Sequence, residues 1–446
     1  MSSPVPMWAG DSTIPEERLS RAKAMLLLVI AATSVAPLFF VTPEAGAPLL
    51  VNVYKYLAKT GAFLGSMFMI WQFLLGFRGA ISKVIPDLAW VVTVHRRLGQ
   101  FGVPIILLHP IFIAIYYAES KGRNLFALDL SSGFSWLVLL GMVLLVVVAF
   151  IFVTSAFFRD RLGFYPWLYT HLSSYVVPPF LFVHSFLLGP TIQGTALRWF
   201  WWVCTALIAA LYVWRIAHKA GATAAWYRVT SAREVAKDTT EILMAPEEDG
   251  LAPTQGQFVY VRQSPAHNSH PYSVSSFDDG VLGITVSRNG PQSAALQDAA
   301  EGDRLLLDGP FGVFTRPASA SDLPMVLVAG GVGITAFRRL WQRLEQERDR
   351  EAHLFYGNET YEEISYRDEL DSLEHVNIVH VLNDEPDFDG ETGFVDADVL
   401  ERNLPRELGE YQFLMCGPAP MVLKLREGLA EAGVPKDRIR EELFAS

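Results

Sequence analysis

The sequence predicts a multidomain membrane protein: a six-helix transmembrane bundle, then an antiparallel β-barrel domain, then an α/β doubly wound nucleotide-binding domain. Three observations predict it. Residues 21–217 hold six long apolar segments. Four histidines lie inside two of those segments at nearly equal spacings. After about residue 220 the pattern turns first to short β-rich segments and then to strand and helix in alternation.

The totals describe a composite chain. Its 446 residues suggest about two to four domains. Hydrophobic residues make up 51% and mean hydropathy is +0.25, too apolar for an ordinary soluble protein, yet the apolar runs are confined to the first half. The net charge of −11 comes mostly from the C-terminal half, and no basic stripe marks a nucleic-acid partner. Two cysteines, Cys204 and Cys416, make no disulfide framework, and no CxxCH is present for covalent haem attachment.

Residues 1–20 are polar and proline-containing and read as a short cytoplasmic arm. No signal peptide is expected, because Asp11, Glu16 and Glu17 precede the first apolar run. Apolar segments follow at 21–41, 58–77, 90–117, 134–157, 166–188 and 194–217, each long enough to span a bilayer. Six spans put both termini on one side. Arg18, Arg78, Arg96, Arg97, Arg159 and Arg215 crowd that side, so both termini are expected in the cytoplasm and the bundle in the inner (plasma) membrane. Trp199, Trp201 and Trp202 read as an interfacial aromatic belt.

An ionisable side chain in hydrocarbon is costly, so four histidines at matched depths need a shared reason. His95 and His109 stand fourteen residues apart, about 40° from a common helix face; His171 and His184 stand thirteen apart, about 140° out of phase on a straight helix. Pro178 and Pro179 lie between the second pair, where a kink can restore the phase. Axial ligation of two stacked b-type haems is the simplest account, with His95 and His171 near the inner face and His109 and His184 near the outer. Helix-contact histidines bonded to carbonyls are the plain alternative. Arg96 and Arg97 read equally as propionate partners or as positive-inside anchors. Tyr175 and Phe180 read as packing residues, with a place between the haems as the alternative.

In the second half, residues 220–318 read as the barrel domain and 319–446 as the nucleotide-binding domain. VLVAGGVGIT at 326–335 is a strand, a glycine turn and a helix start. Gly330, Gly331 and Gly333, with Ile334 and Thr335, suit a pyrophosphate resting on free N–H groups, although the full GxGxxG spacing is lacking and a ligand-free turn stays open. Cys416, Gly417 and Pro418 follow a strand at the carboxyl edge of the same sheet, where ligands bind in such folds. In the barrel, His270, Pro271, Tyr272, Ser273, Ser275 and Ser276 form HPYSVSS, an aromatic ring among hydroxyls that suits a flavin. Gly290 to Ser293 precede a short helix that could seat the flavin diphosphate. Ordinary barrel chemistry accounts for either stretch equally well.

Together these residues resemble the NADPH oxidase and ferric reductase superfamily, and most closely its bacterial NADPH oxidases without calcium-binding extensions. The likeness covers residues 21–446 and rests on the two histidine pairs, HPYSVSS, GPFG at 309–312, AGGVGIT and CGPAPM. It implies a ferredoxin-reductase-like module, with FAD on the barrel and NADPH or NADH on the doubly wound domain. It implies that Phe444, in the final strand IREELF, stacks on the flavin, and that Cys416 stands at the reacting centre. The implied path runs from NAD(P)H through FAD and two haems to dioxygen on the outer face, giving superoxide. With histidine on both sides of each iron, reduction would occur at the haem edge.

Asn358, Glu359 and Thr360 follow the second sheet strand, where an acid repels a 2′-phosphate, so NADH or dual use is expected unless Arg338 or Arg367 compensates. Three alternatives share parts of these motifs. A ferric or metal-chelate reductase uses the same path; a membrane redox module delivers to a protein acceptor; a transport or scaffold bundle fused to a reductase holds no haem. Short outer loops favour dioxygen, and no obligatory protein partner is evident.

Overall fold

The computed structural model describes residues 16–316, 321–385 and 387–444, the side chains of residues 16, 17 and 444 excepted. The chain divides into a helical unit, Glu17–Ile216, and a second unit that begins at Ala217. Of the arm expected over residues 1–20, only 16–20 are described, and they already belong to the first helix.

The helical unit is built from α1 (Glu16–Val35), α2 (Leu49–Leu75), α3 (Leu88–Ile106), α4 (Leu108–Lys121), α5 (Gly133–Phe157), α6 (Phe164–Leu172), α7 (Val177–Leu188) and α8 (Leu197–Lys219), with short turns between them. α3 runs into α4, and α6 into α7. Among the described residues five segments are long and apolar enough to cross a membrane: 18–40, 88–121, 133–157, 164–188 and 197–219. α2 is long enough but falls short of that apolarity, because Asn52, Lys55, Lys59 and Gln72 interrupt it. It is instead the best-buried helix of the unit, and its glycines explain why. A β-carbon at Gly61 would lie 2.4 Å from the His109 backbone nitrogen, and one at Gly65 2.9 Å from Ile106 Cβ. Only a glycine surface lets α2 approach α3 and α4 so closely.

The aromatic residues sort differently from the sequence expectation. Trp199 and Trp202 are exposed, as belt residues should be, but Trp201 is 1% exposed and donates from Nε1 to Ser185 Oγ at 2.8 Å. It is a core residue, because its position on α8 faces Phe63 and Phe182. Tyr175 packs among Phe73, Phe77 and Tyr212, as a packing residue should, and Phe180 is 45% exposed.

The second unit opens with a closed antiparallel barrel of β1 (Ala225–Ala236), β2 (Thr239–Pro246), β3 (Phe258–Arg262), β4 (His270–Asp278), β5 (Val281–Ser287) and β6 (Arg304–Phe311), in the order β1-β2-β5-β4-β3-β6. Its interior is filled by Tyr227, Val229, Ile242, Met244, Val259, Val274, Ile284 and Leu305. A short helix, α9 (Pro291–Gln297), lies between β5 and β6.

A parallel sheet follows, made of β7 (Met325–Gly330), β8 (Ala352–Asn358), β9 (Val376–Leu382), β10 (Glu391–Thr392), β11 (Gln412–Pro418) and β12 (Ile439–Phe444), ordered β10-β9-β8-β7-β11-β12. Its helices are α10 (Arg338–Glu347), α11 (Arg367–Asp371), α12 (Ala397–Asn403) and α13 (Ala419–Glu431). β7, MVLVAG, is buried throughout and parts two cores: Leu340, Trp341 and Leu344 on one face, Val422, Leu425 and Leu429 on the other. A strand covered on both faces has no polar side to show, which is why it reads as an unbroken apolar run.

Strand order fixes where a ligand fits. From β7 the chain builds outward through β8, β9 and β10 on one side, then returns to place β11 and β12 on the other. The order therefore reverses between β7 and β11, and the crevice beyond the carboxyl ends of those two strands is the binding position of a doubly wound sheet.

Candidate functional site

The helical unit brings the four histidines together as two pairs. The ring centres of His95 and His171 lie 6.0 Å apart and those of His109 and His184 6.3 Å apart. The thirteen-residue offset of the second pair is absorbed by a 3₁₀ turn, Ser173–Val176, between α6 and α7. Four residues at 120° in place of 100° reduce the phase error from about 140° to about 60°. Pro178 then sits at the start of α7, where its missing N–H costs nothing.

Each imidazole is held by its Nδ1. His95 Nδ1 lies 2.9 Å from the Gln72 carbonyl, His109 Nδ1 3.2 Å from that of Ala58, and His184 Nδ1 2.9 Å from that of Leu137. His171 Nδ1 lies 3.2 Å from Ser155 Oγ, and Trp167 both stacks on the same ring at 5.4 Å and donates to Ser155 Oγ at 3.3 Å. A carbonyl accepts only from Nδ1–H, so for three of the four rings the lone pair sits on Nε2, free to ligate a metal. Orientation of a ligating ring by its other nitrogen is the usual arrangement at metal sites. Two metal–nitrogen bonds of about 2 Å would hold the facing nitrogens about 4 Å apart and the ring centres somewhat further, in keeping with the spacings seen. The four residues fit two bis-histidine irons.

Glycines make room around these rings. A β-carbon at Gly141 would lie 2.5 Å from His184 Cε1, and one at Gly99 2.5 Å from Gln72 Nε2. Gln72 and Ser155 escaped the sequence reading because nothing in their spacing ties them to the histidines, whereas Trp167, one helical turn before His171, carried a spacing signal. Arg96 and Arg97, beside His95, are both exposed.

In the second unit, the two glycine-bearing motifs meet at the reversal of strand order. Gly330 to Thr335 leave β7, and Cys416, Gly417 and Pro418 end β11. A β-carbon at Gly333 would lie 2.2 Å from the Cys416 carbonyl oxygen; one at Gly417 would lie 3.0 Å from Gly330 N. Gly331 adopts φ 52°, which favours glycine. The turn opens a 3₁₀ helix, Gly331–Ala336, rather than the expected α-helix, which begins only at Arg338. Ile334 and Thr335 are buried beneath it, with Thr335 Oγ1 donating to the Val332 carbonyl at 2.8 Å.

HPYSVSS forms the body of β4. Val274 points into the barrel core, Ser273 and Ser275 are buried, Tyr272 and Ser276 are half-buried, and Pro271 is exposed. The strand packs against the Gly331–Ala336 turn and α10, which brings the flavin and nicotinamide candidates to one seam. His270 Nε2 and Gln292 Oε1 are buried with no hydrogen-bond partner among the described residues. Burial also holds the His270 imidazole below its ordinary pKa. Orphaned polar atoms on both stretches read as flavin-binding fit a ligand that supplies their partners. Ser293 Oγ accepts from Asn289 N at 2.8 Å and donates to the Gly290 carbonyl at 3.1 Å, closing the turn at the start of α9. Gly290, at φ 108°, makes that turn possible.

Cys416 is fully buried, and burial pushes its thiol well above the ordinary range, so it is a neutral thiol. The parallel register sets Glu442 beside Cys416 and Phe444 beside Pro418. The backbone of Phe444 thus reaches the crevice, while its side chain lies outside the described residues. Glu442 is a residue the sequence reading missed: burial pushes its carboxyl up to about 7. Its signal was positional, two residues before the terminal aromatic and so on the same strand face.

The cations weighed for a 2′-phosphate stand apart. Arg338 is bound to Glu241 and Glu369, whereas Arg367 stacks over Tyr361 at 4.6 Å, beside Glu359 and Thr360.

Two protein-family models match. The ferric reductase like transmembrane component covers residues 62–182, which include His95, His109 and His171, and the oxidoreductase NAD-binding domain covers 327–427, which include Gly330 to Thr335 and Cys416 to Pro418. Among known proteins, the reductase component of propane 2-monooxygenase from Rhodococcus jostii (strain RHA1) is 28% identical over 235 residues, 49% of this chain and 63% of that protein. NADH–cytochrome b5 reductase 1 of Arabidopsis thaliana is 32% identical over 176 residues, 36% of this chain and 62% of that protein. The chain thus spans less than two thirds of the length of either relative. Among solved structures, the cytochrome b5 reductase domain of Ulva prolifera nitrate reductase aligns over 50% of this chain and 98% of its own, at 21% identity and a TM-score of 0.44.

Proposed function

The chain joins a ferric-reductase-like transmembrane component to an oxidoreductase NAD-binding domain and so matches the NADPH oxidase and ferric reductase superfamily, and on that premise we propose that it is a superfamily oxidase that reduces dioxygen to superoxide. It is a multi-pass membrane oxidoreductase that moves electrons from NAD(P)H. On this proposal FAD sits on the barrel, two b-type haems sit in the helical unit, dioxygen is the outer acceptor and both termini lie in the cytoplasm.

The observation that carries it is the double pair of rings at 6.0 and 6.3 Å, each ring fixed through Nδ1. When bound, FAD supplies the change from hydride to single electrons, and haem supplies one-electron carriage. The residues do the rest. Gly330, Gly331, Gly333, Ile334 and Thr335 would hold the dinucleotide, and Cys416, Gly417 and Pro418 would bound its nicotinamide end. His270, Pro271, Tyr272, Ser273, Ser275 and Ser276 would hold the flavin, with Gly290 and Ser293 as the candidates for its diphosphate and Phe444 as the candidate for its ring. His95 with His171, and His109 with His184, would hold the two haems, and histidine ligation of this kind would suit transfer of one electron at a time. One electron added to dioxygen is superoxide.

A ferric or other metal-chelate reductase would use the same residues. Of the three acids near the outer ends, Glu44, Glu119 and Asp129, two are already engaged, which supports dioxygen over a chelate. Glu44 is bound by Tyr116 and Lys121, and Asp129 accepts from Ser131 N at 3.0 Å and Ser131 Oγ at 2.7 Å.

The test is cytochrome c reduction by the purified, detergent-solubilised protein supplied with FAD and NADH or NADPH. Reduction sensitive to superoxide dismutase is expected. Reduction of a ferric chelate with none of that sensitivity would overturn the oxidase reading.

A further inference from the structure

Hydride transfer needs the reacting atoms in near-attack contact, and a misplacement of about 1 Å is costly. In this chain the flavin candidates lie on the barrel and the nicotinamide candidates on the sheet, so something must fix one against the other. The seam between them carries one dense polar cluster. Arg338, at the start of α10, reaches Glu241 of β2 with one arm and Glu369 of α11 with the others, at 2.8 and 2.9 Å. Glu241 is 4% exposed and is met by a second guanidinium, Arg233, at 3.1 Å.

Tyr366 completes the cluster. Its ring lies under the Arg338 guanidinium at 4.1 Å, and its hydroxyl meets Thr285 Oγ1 of β5 and lies 3.5 Å from Glu241 Oε1. Tyr366 holds φ 59°, a left-handed conformation that a bulky residue keeps only where its surroundings over-determine it. Trp341 Nε1 and Gln342 Nε2 donate to the same Glu369 that Arg338 binds, at 3.2 and 2.8 Å. The cluster therefore ties two barrel strands to two helices of the sheet domain. Its members are residues other than those assigned to a cofactor, with Ser275 beside Tyr366.

We propose that Arg338, held between Glu241 and Glu369 and braced by Tyr366, is a positioning residue: it sets the angle between barrel and sheet that brings nicotinamide to flavin. This rests on the functional reading above only in needing a flavin and a nicotinamide at the seam. A buried ion pair is a poor source of net stability but a directional one, and a planar guanidinium with two carboxylates fixes orientation as apolar packing does not.

The experiment uses the full chain in detergent, with FAD. Glu301→Cys on the barrel and Glu401→Cys on α12 are exposed labelling positions, and both native cysteines are buried, so spin labels report the distance between the two lobes. Arg338→Met is expected to broaden or shift that distance distribution. It should also slow anaerobic flavin reduction by NADH at least about tenfold, with FAD content kept and NADH affinity within about threefold. The long-wavelength charge-transfer band between nicotinamide and flavin should weaken, and Arg338→Lys should recover part of each signal. If Arg338→Met does not fold, Tyr366→Phe, which removes only the hydroxyl contacts, is read on the same signals. An unchanged distribution with flavin reduction within about twofold of the parent overturns the proposal, as does loss of rate only in step with loss of FAD. Failure of the parent protein to reduce its flavin with NADH overturns the functional reading instead, and leaves the label distances as the separate test of the clamp.

Discussion

Gly141 of α5 stands directly against the imidazole of His184, so that a β-carbon there would lie 2.5 Å from Cε1. The ring cannot swing away, because its Nδ1 is tied to the Leu137 carbonyl one turn earlier on the same helix as that glycine. Gly141→Val should therefore displace His184 and, on the two-haem proposal, remove the haem assigned to His109 and His184 while the His95 and His171 pair keeps its own. Haem per chain, measured as the pyridine haemochrome, should fall from two to one. Two retained haems would detach His184 from the assignment.

His171→Leu tests the other pair. It removes one axial ligand and leaves the Trp167 and Ser155 shell without its imidazole. Flavin reduction by NADH should persist at the parent rate, since the second unit is untouched, while superoxide output falls to background. Loss of both signals together would mean that the substitution acts through folding.

At the glycine crevice, Gly333→Ala places a β-carbon 2.2 Å from the Cys416 carbonyl, and neither backbone can yield cheaply. Overpacking of this kind costs about 1–3 kcal/mol. Because it separates β7 from β11 where the dinucleotide is proposed to rest, NADH affinity should fall at least about tenfold, or about 1.4 kcal/mol, with flavin content unchanged. Titration of NADH against the oxidised protein measures it.

Glu442 predicts a pH dependence. Its carboxyl is pushed up to about 7 by burial, so the folded chain holds a proton that the unfolded chain releases near the ordinary carboxyl range. Between those two values the native state binds more protons, so stability falls as pH rises, by about 1.4 kcal/mol for each pH unit crossed and a few kcal/mol at most. The loss is complete above about pH 7. Thermal unfolding from about pH 5 to 8 should show this decline in the parent and a flatter profile in Glu442→Gln. Equal slopes would place the Glu442 carboxyl in water.

Much of this architecture was legible because its signals are local. Apolar length marked the helical segments, continuous burial marked β7 as VLVAG, and alternation marked the barrel strands. The paired histidines were visible as a spacing, but the 3₁₀ turn at Ser173–Val176 was not, since a change in pitch of about 20° per residue leaves no trace in composition. Trp201 was misread because three clustered tryptophans resemble a belt until helix phase separates the one that faces Phe63. Arg338 was weighed as a phosphate partner, and its true partners, Glu241 and Glu369, lie 97 and 31 residues away. Long-range polar pairing of that kind is decided by the fold and cannot be read from neighbours in sequence. α2 was expected to start at 58 and begins at Leu49, because Asn52, Lys55 and Lys59 lower its apolarity without breaking its helix.

The most direct test of the account is the absorbance of the purified protein, read together with its haem content. It predicts two b-type haems per chain, six-coordinate in both oxidation states, and both reduced by NADH under anaerobic conditions once FAD is bound. A protein that carries no haem, or haem that survives the joint loss of His95 and His171 and of His109 and His184, would contradict it.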